Sequence, residues 1–260
     1  MSEKLVIMPR LRAAGVLDGV RWAYDSAVRR ALDDYSEDAG YDTALLGSLR
    51  FTLFRDRLDR VFSCGRYALQ AGVDENVGLD LVRVELTEKD RTSMPVLPAD
   101  LVRRVNRDGS PGWALGDLQF LLASCEFGKI DILPWPRRSP AKQQVAMQLP
   151  PATEQPLALF DVVDTDLAES DQTSPSLTTF MVAHTLDAVS GRRELVFGRT
   201  RFNSGGGQAW YWYENLLTLP LTQGGQRPST PTQSGPDGVP DAPVRLRKVD
   251  STLPKASDRQ

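Results

Sequence analysis

Leu177-Thr-Thr-Phe-Met-Val-Ala-His-Thr-Leu186, then Asp187-Ala-Val-Ser-Gly191, then Glu194-Leu-Val-Phe-Gly-Arg-Thr-Arg-Phe202 is the stretch that decides the fold. Two runs rich in β-branched and aromatic residues flank five residues of turn chemistry, with Gly191 free to take a positive φ. The unit reads as an antiparallel hairpin. Residues 209–213 follow a Gly-rich loop and can close the same sheet.

Upstream of the hairpin, residues 79–86 alternate Asp80, Arg83 and Glu85 with apolar neighbours, the period of a strand. Residues 118–125 and 129–133 flank Glu126-Phe127-Gly128 and predict a second hairpin. Residues 145–149 and 157–163 predict further short strands. Between them Pro98, at a first-turn position, predicts a helix over 98–105 that ends at Asp108-Gly109.

The first part of the chain has the other period. Val20, Ala23, Tyr24, Ala27, Val28, Ala31 and Tyr35 recur three or four apart and predict a helix over 16–35. Its solvated face would carry the i,i+4 pairs Arg21–Asp25, Arg29–Asp33 and Arg30–Asp34. Gly40 breaks the pattern and Asp42 is placed to cap the next element. Over 43–62 the pattern conflicts with itself, because Arg50 and Arg57 fall inside the apolar arc of Leu46, Leu49, Leu53 and Val61. Either buried carboxylates pair these arginines, or the helix breaks near Gly47-Ser48. Arg55, Arg60 and Arg66 join them in a basic run that interleaved Asp56 and Asp59 would neutralise on a solvated face.

A helical section followed by strands on short turns predicts an α+β fold with a mainly antiparallel sheet. One domain is expected over 1–220, helical in 1–75 and β-rich in 76–220. Residues 221–260 are dominated by Gly, Pro, Ser, Thr and Gln without aromatics, and predict a disordered tail.

Composition narrows the chemistry. Among 260 residues there is a single histidine, His184, and only two cysteines, Cys64 and Cys125. A Cys/His zinc centre needs about four such ligands at short spacing. No CxxC pair, GxxxxGKS/T, GxSxG or HExxH is present. None of the six lysines is preceded at two positions by an acid, which disfavours a PD-(D/E)xK nuclease. No apolar run reaches the ~18 residues of a membrane span. Residues 1–10 lack signal-peptide blocks, and two distant thiols fit a reducing cytoplasm, each expected as a buried small apolar group. Only six of the 31 basic residues are lysines, a skew associated with GC-rich bacterial genomes.

Three constellations carry possible chemistry. Between Lys142 and Arg192 every charged residue is acidic, and Asp161, Asp164 and Asp166 end a predicted strand. Carboxylates placed so could hold Mg²⁺ or Mn²⁺, with Asp164 and Asp166 as ligands, for phosphoester chemistry. His184 could act as a general base only with an orienting carboxylate and a nucleophile beside it; otherwise it is a hydrogen-bonded structural residue. Arg199 and Arg201, expected on one strand face, precede Trp210-Tyr211-Trp212-Tyr213, in which Trp210 and Trp212 should face one way. Arginine and aromatics concentrate where proteins meet, and could also clamp nucleic acid. The resulting expectation is a non-enzymatic, cytoplasmic bacterial binding protein without a cofactor. It would use Arg199, Arg201, Trp210 and Trp212 on a protein partner, as a regulatory or defence-system accessory subunit. A metal-dependent phosphoesterase or nuclease and a nucleic-acid-binding protein are the alternatives.

Overall fold

The computed structural model describes residues 2–68, 81–151 and 177–220. The strand expected at 157–163, the acids Asp161, Asp164 and Asp166, and the 221–260 tail lie outside the described residues. Among the described residues six strands form one sheet in sequence order: β1 Arg103–Arg104, β2 Gly112–Leu115, β3 Leu118–Ser124, β4 Thr178–Leu186, β5 Arg193–Thr200 and β6 Trp210–Asn215. All neighbours are antiparallel except β3 and β4, which run parallel over Leu118↔Thr178 to Ser124↔His184. The helices are α1 Glu3–Ala13, α2 Val16–Asp33, α3 Thr43–Val61, α4 Glu88–Ser93 and α5 Pro140–Ala146.

The β4–β5 hairpin forms as expected. Asp187 caps its turn, accepting from the Ser190 hydroxyl and backbone N–H, and Gly191 sits at φ 66°. Both faces of β4 are covered, so alternate residues feed two separate cores. Phe180 and Val182 pack with α1–α3, including Leu11, Tyr24, Phe54 and Leu58. Met181 and Ala183 pack on the other face with Trp135, Val145 and Trp210. The sheet is thus sandwiched between the N-terminal helices and residues 130–146.

Several expectations are corrected. Residues 81–83 are helical, not a strand; Val82 and Leu86 are buried one turn apart while Leu81 and Val84 face out. So short a segment fits either period, and tertiary burial chose between them. Residues 98–105 are not helical: Asp100 takes φ 63°, which turns the chain into β1. The second hairpin does not form, because Ile130–Ile132 is a single 3-10 turn that buries Ile130 and Leu133. In its place β3 pairs with β2, which the sequence reading missed, and with β4. Residues 145–149 are no strand; Pro140 starts α5, which buries Ala141, Val145 and Ala146.

The helices answer the question left open at 43–62. Asp42 caps α3, accepting from the Leu45 N–H at 2.7 Å, and the helix runs through Gly47-Ser48 unbroken. Arg57 and Arg60 are buried, not solvated, and both pair with Asp56. Arg60 also donates to the carbonyls of Val82 and Val84 at 2.9 and 2.8 Å, tying α3 to that segment. Of the expected i,i+4 pairs on α2, Arg30–Asp34 forms at 2.8 Å. Arg29 turns to buried Asp90 and Asp25 pairs with Arg193, because a buried or cross-element partner outweighs a solvated one. Cys64 is buried as expected, whereas Cys125 is only half-buried.

Candidate functional site

At the end of the sheet, β6 departs from simple alternation. Arg199 pairs with Trp212 but Thr200 pairs with Trp210, so one extra residue, Tyr211, bulges from β6. A bulge inverts the facing of everything beyond it. Trp210 therefore joins the core beside Trp135, with ring centroids 5.4 Å apart and its Nε1–H donating to Ile130 O at 2.8 Å. Trp212 lies on the opposite face against Phe180 and Phe197 and donates to Glu3 Oε2 at 2.7 Å. The expectation that both tryptophans share a side is corrected.

Arg199 and Arg201 also part company, because β5 ends at Thr200 and Arg201 lies beyond it. Arg199 is 6% exposed. It donates to Leu149 O at 2.9 Å and Gln148 Oε1 at 3.2 Å. Arg201 is exposed and lies over Tyr211, 5.9 Å from the ring centroid. Tyr213 donates to Asp131 at 2.7 Å and stays at the surface. The four residues expected to bind a partner are thus divided: Arg199 and Trp210 are interior, Trp212 is half-covered, and Arg201 is outside. Tyr211 and Tyr213 are the aromatic groups that accompany Arg201 at the sheet edge.

His184 lies on β4, fully buried among Tyr24, Phe51 and Phe54, with centroids 5.7, 6.2 and 5.1 Å away. Neither ring nitrogen has a hydrogen-bond partner among the described residues, contrary to the expected structural bond. Burial, with the nearby charges of Arg50 and Lys142, pushes its pKa well below the usual 6.5, so the imidazole is neutral. Among the described residues no carboxylate orients it; the nearest acid in sequence, Asp187, serves the hairpin turn.

An open cleft of about 510 Å³ lies between α3 and the carboxyl end of β3, lined by Ala44, Gly47, Ser48, Phe51, Thr52 and Ser124. Ser124 is the register partner of His184, and the charge of Arg50, on the adjoining face of α3, reaches both His184 and Cys125. Arg50 itself does not line the cleft; it is buried on the core side of α3 with Leu46 and Phe54. Its pKa is lowered by burial, and its Nε has no acceptor. The arginine inside the apolar arc is thus a buried residue of an unbroken helix.

Asp161, Asp164 and Asp166 fall outside the described residues, and among those described no cluster of three His, Cys, Asp or Glu side chains could hold a metal ion. No described helix is long and apolar enough to cross a membrane. No family profile, no curated protein and no solved structure matches this chain.

Proposed function

We propose that this chain is a non-enzymatic binding protein of the bacterial cytoplasm that docks onto another protein through the β6 edge of its sheet. One observation carries the reading: among the described residues no strand lies beyond β6, which carries Tyr211, covered by Arg201 from the segment after β5, and Tyr213. Edge strands offer unpaired backbone groups to an added strand, while arginine and tyrosine beside them supply contact area with little entropy loss. Ile132 is half-exposed next to Asp131, the partner of Tyr213, and adds an apolar contact to the same edge. The Arg-rich composition and the two unpaired thiols support the assignment to a reducing bacterial cytoplasm.

Affinity purification from the cells that make the protein tests the reading, comparing wild type with a Tyr211→Ala/Tyr213→Ala double variant. Wild type is expected to retain one partner in stoichiometric amount, and the variant to lose it with little change in Tm. Equal recovery by both, or no stoichiometric partner at all, rejects docking at this edge.

A further inference from the structure

We propose that Lys4 of α1 is a removable guard on the β6 edge: its ammonium holds the Tyr213 carbonyl and is displaced when a partner adds an extended strand there. As a regulatory contact it rests on docking at β6, although the guard itself is measurable without the partner.

The first support is the direction of the backbone groups along β6. Leu216 N–H donates to Leu195 O, and the register continues through Val196↔Asn215, Phe197↔Glu214, Gly198↔Tyr213 and Arg199↔Trp212. In an antiparallel ladder, hydrogen-bonded and non-hydrogen-bonded pairs alternate. Leu195 and Leu216 form a hydrogen-bonded pair, so Tyr213 and Asn215 turn their N–H and C=O groups away from β5, toward the open edge. Gly198 agrees with this phase. A Cβ added there would sit 2.8 Å from Tyr213 Cα, the close approach of a non-hydrogen-bonded pair.

The second support is what meets those outward groups. Lys4 Nζ donates to Tyr213 O at 3.2 Å and pairs with Glu214 at 2.7 Å. The Asn215 carbonyl accepts from the Thr218 hydroxyl at 3.1 Å, and its side chain accepts from the Leu217 N–H at 2.9 Å. The Asn215 closure belongs to the turn that ends β6 and cannot open without undoing that turn. The Tyr213 closure comes from another element, 209 residues away in sequence. An added strand is therefore confined to the stretch before Asn215, and it must bring its own N–H to Tyr213 O in place of Lys4. The partner residue opposite Tyr213 cannot be proline, which has no N–H to give.

The third support is that the hold is weak and separable. The Lys4 and Glu214 side chains are 36% and 28% exposed, and ion pairs so wetted contribute little. Ile7 and Leu11, not Lys4, bury α1 in the core, and Glu3 ties the same turn to Trp212 at 2.7 Å. Lys4 can swing into solvent on its flexible stem while α1 stays docked. Lysine at a sheet edge deters strand addition. Here a single lysine covers the one outward carbonyl that β6 does not close for itself, so one displacement opens the edge.

Sedimentation velocity of the full chain tests the guard, because an opened edge can pair with the β6 of a second copy. Lys4→Met keeps the length of the stem without the ammonium. It should self-associate roughly tenfold more tightly than wild type, the change expected when one hydrogen bond and a wetted ion pair no longer compete. Hydrogen exchange of the associated variant should slow in residues 210–215, and Lys4→Arg, which keeps a cationic donor, should sediment like wild type. The guard is overturned if Lys4→Met sediments like wild type, or associates without protection in 210–215. It is equally overturned if Lys4→Arg behaves as Lys4→Met, or if Lys4→Met melts far below wild type. Affinity purification, at dilutions where Lys4→Met is monomeric, separates this inference from docking itself: the variant should retain more partner than wild type. Self-association of Lys4→Met through β6 with no partner retained by either protein rejects docking and keeps the guard. Equal retention by both proteins rejects the guard and keeps docking.

Discussion

Asp56 shows how much one side chain can organise. It pairs with Arg57, Arg60 and Arg66 and accepts the Tyr67 hydroxyl at 2.7 Å, with a side chain only 13% exposed. Burial alone would raise its pKa, but hydrogen bonds from Arg60, Tyr67 and Arg66 and the Arg60 charge outweigh burial and lower it. Asp59, one turn on, accepts from Arg104 and from Trp113 Nε1 at 2.9 Å, joining α3 to β1 and β2. Replacing Asp56 by Asn leaves buried guanidinia without a counter-charge, and such losses run to about 3–5 kcal/mol. Urea denaturation of Asp56→Asn should show that fall, and a change under ~1 kcal/mol would mean that the arginines find other partners. Cys64 illustrates the opposite case: burial and the Asp59 charge push its thiol up to about 12, so it is a packing group and not a nucleophile.

At the scale of elements, the β5–β6 pair depends on a glycine. A Cβ on Gly198 would sit 2.6 Å from Tyr213 Cβ and collide with the Trp212 carbonyl. The bare Cα lets β6 approach where it begins to bulge, and that approach places Trp210 and Trp212 in different cores. Gly198→Ala is expected to cost about 1–3 kcal/mol by overpacking against backbone that cannot yield. Equilibrium denaturation measures it; a neutral result would show that β6 shifts freely. Element scale is also where pattern reading succeeded and failed. Residues 16–35 and the 177–202 hairpin are long enough for their periods to be unambiguous, and both formed as α2 and β4–β5. Residues 79–86, 129–133 and 145–149 are eight residues or fewer; in each, burial by distant neighbours overrode the local pattern. For the candidate site, the residue types were legible and their grouping was not. Arg199, Trp210 and Trp212 were correctly placed on strands, but one bulged residue set the tryptophans on opposite faces, and β5 ends before Arg201.

At the scale of the molecule, the sheet separates two cores, and α2 and α3 close one of them over His184. The folded chain holds this histidine neutral, with its pKa below 6.5, whereas the unfolded chain protonates it near 6.5. The unfolded state therefore binds more protons, and stability should fall as pH drops below about 6.5, continuing until the folded-state pKa is passed. The depressed pKa of Asp56 adds a second loss, beginning nearer its ordinary 3.8. Urea midpoints of wild type and His184→Phe between pH 7 and 5 separate the two: the variant should be flatter in that window. Parallel curves would place the acid sensitivity elsewhere.

What the sequence determined by itself is the part governed by neighbours along the chain. The helix of α2, the Asp42 cap and the hairpin turn at Asp187–Gly191 each depend on hydrogen bonds spanning a few residues. Only the tertiary structure decided the parallel pairing of β3 with β4, the burial of Arg57 and Arg60 around Asp56, and the enclosure of His184 by Tyr24, Phe51 and Phe54. The reason is physical: register and desolvation depend on groups tens to more than a hundred residues away, and no local period encodes which of them will arrive.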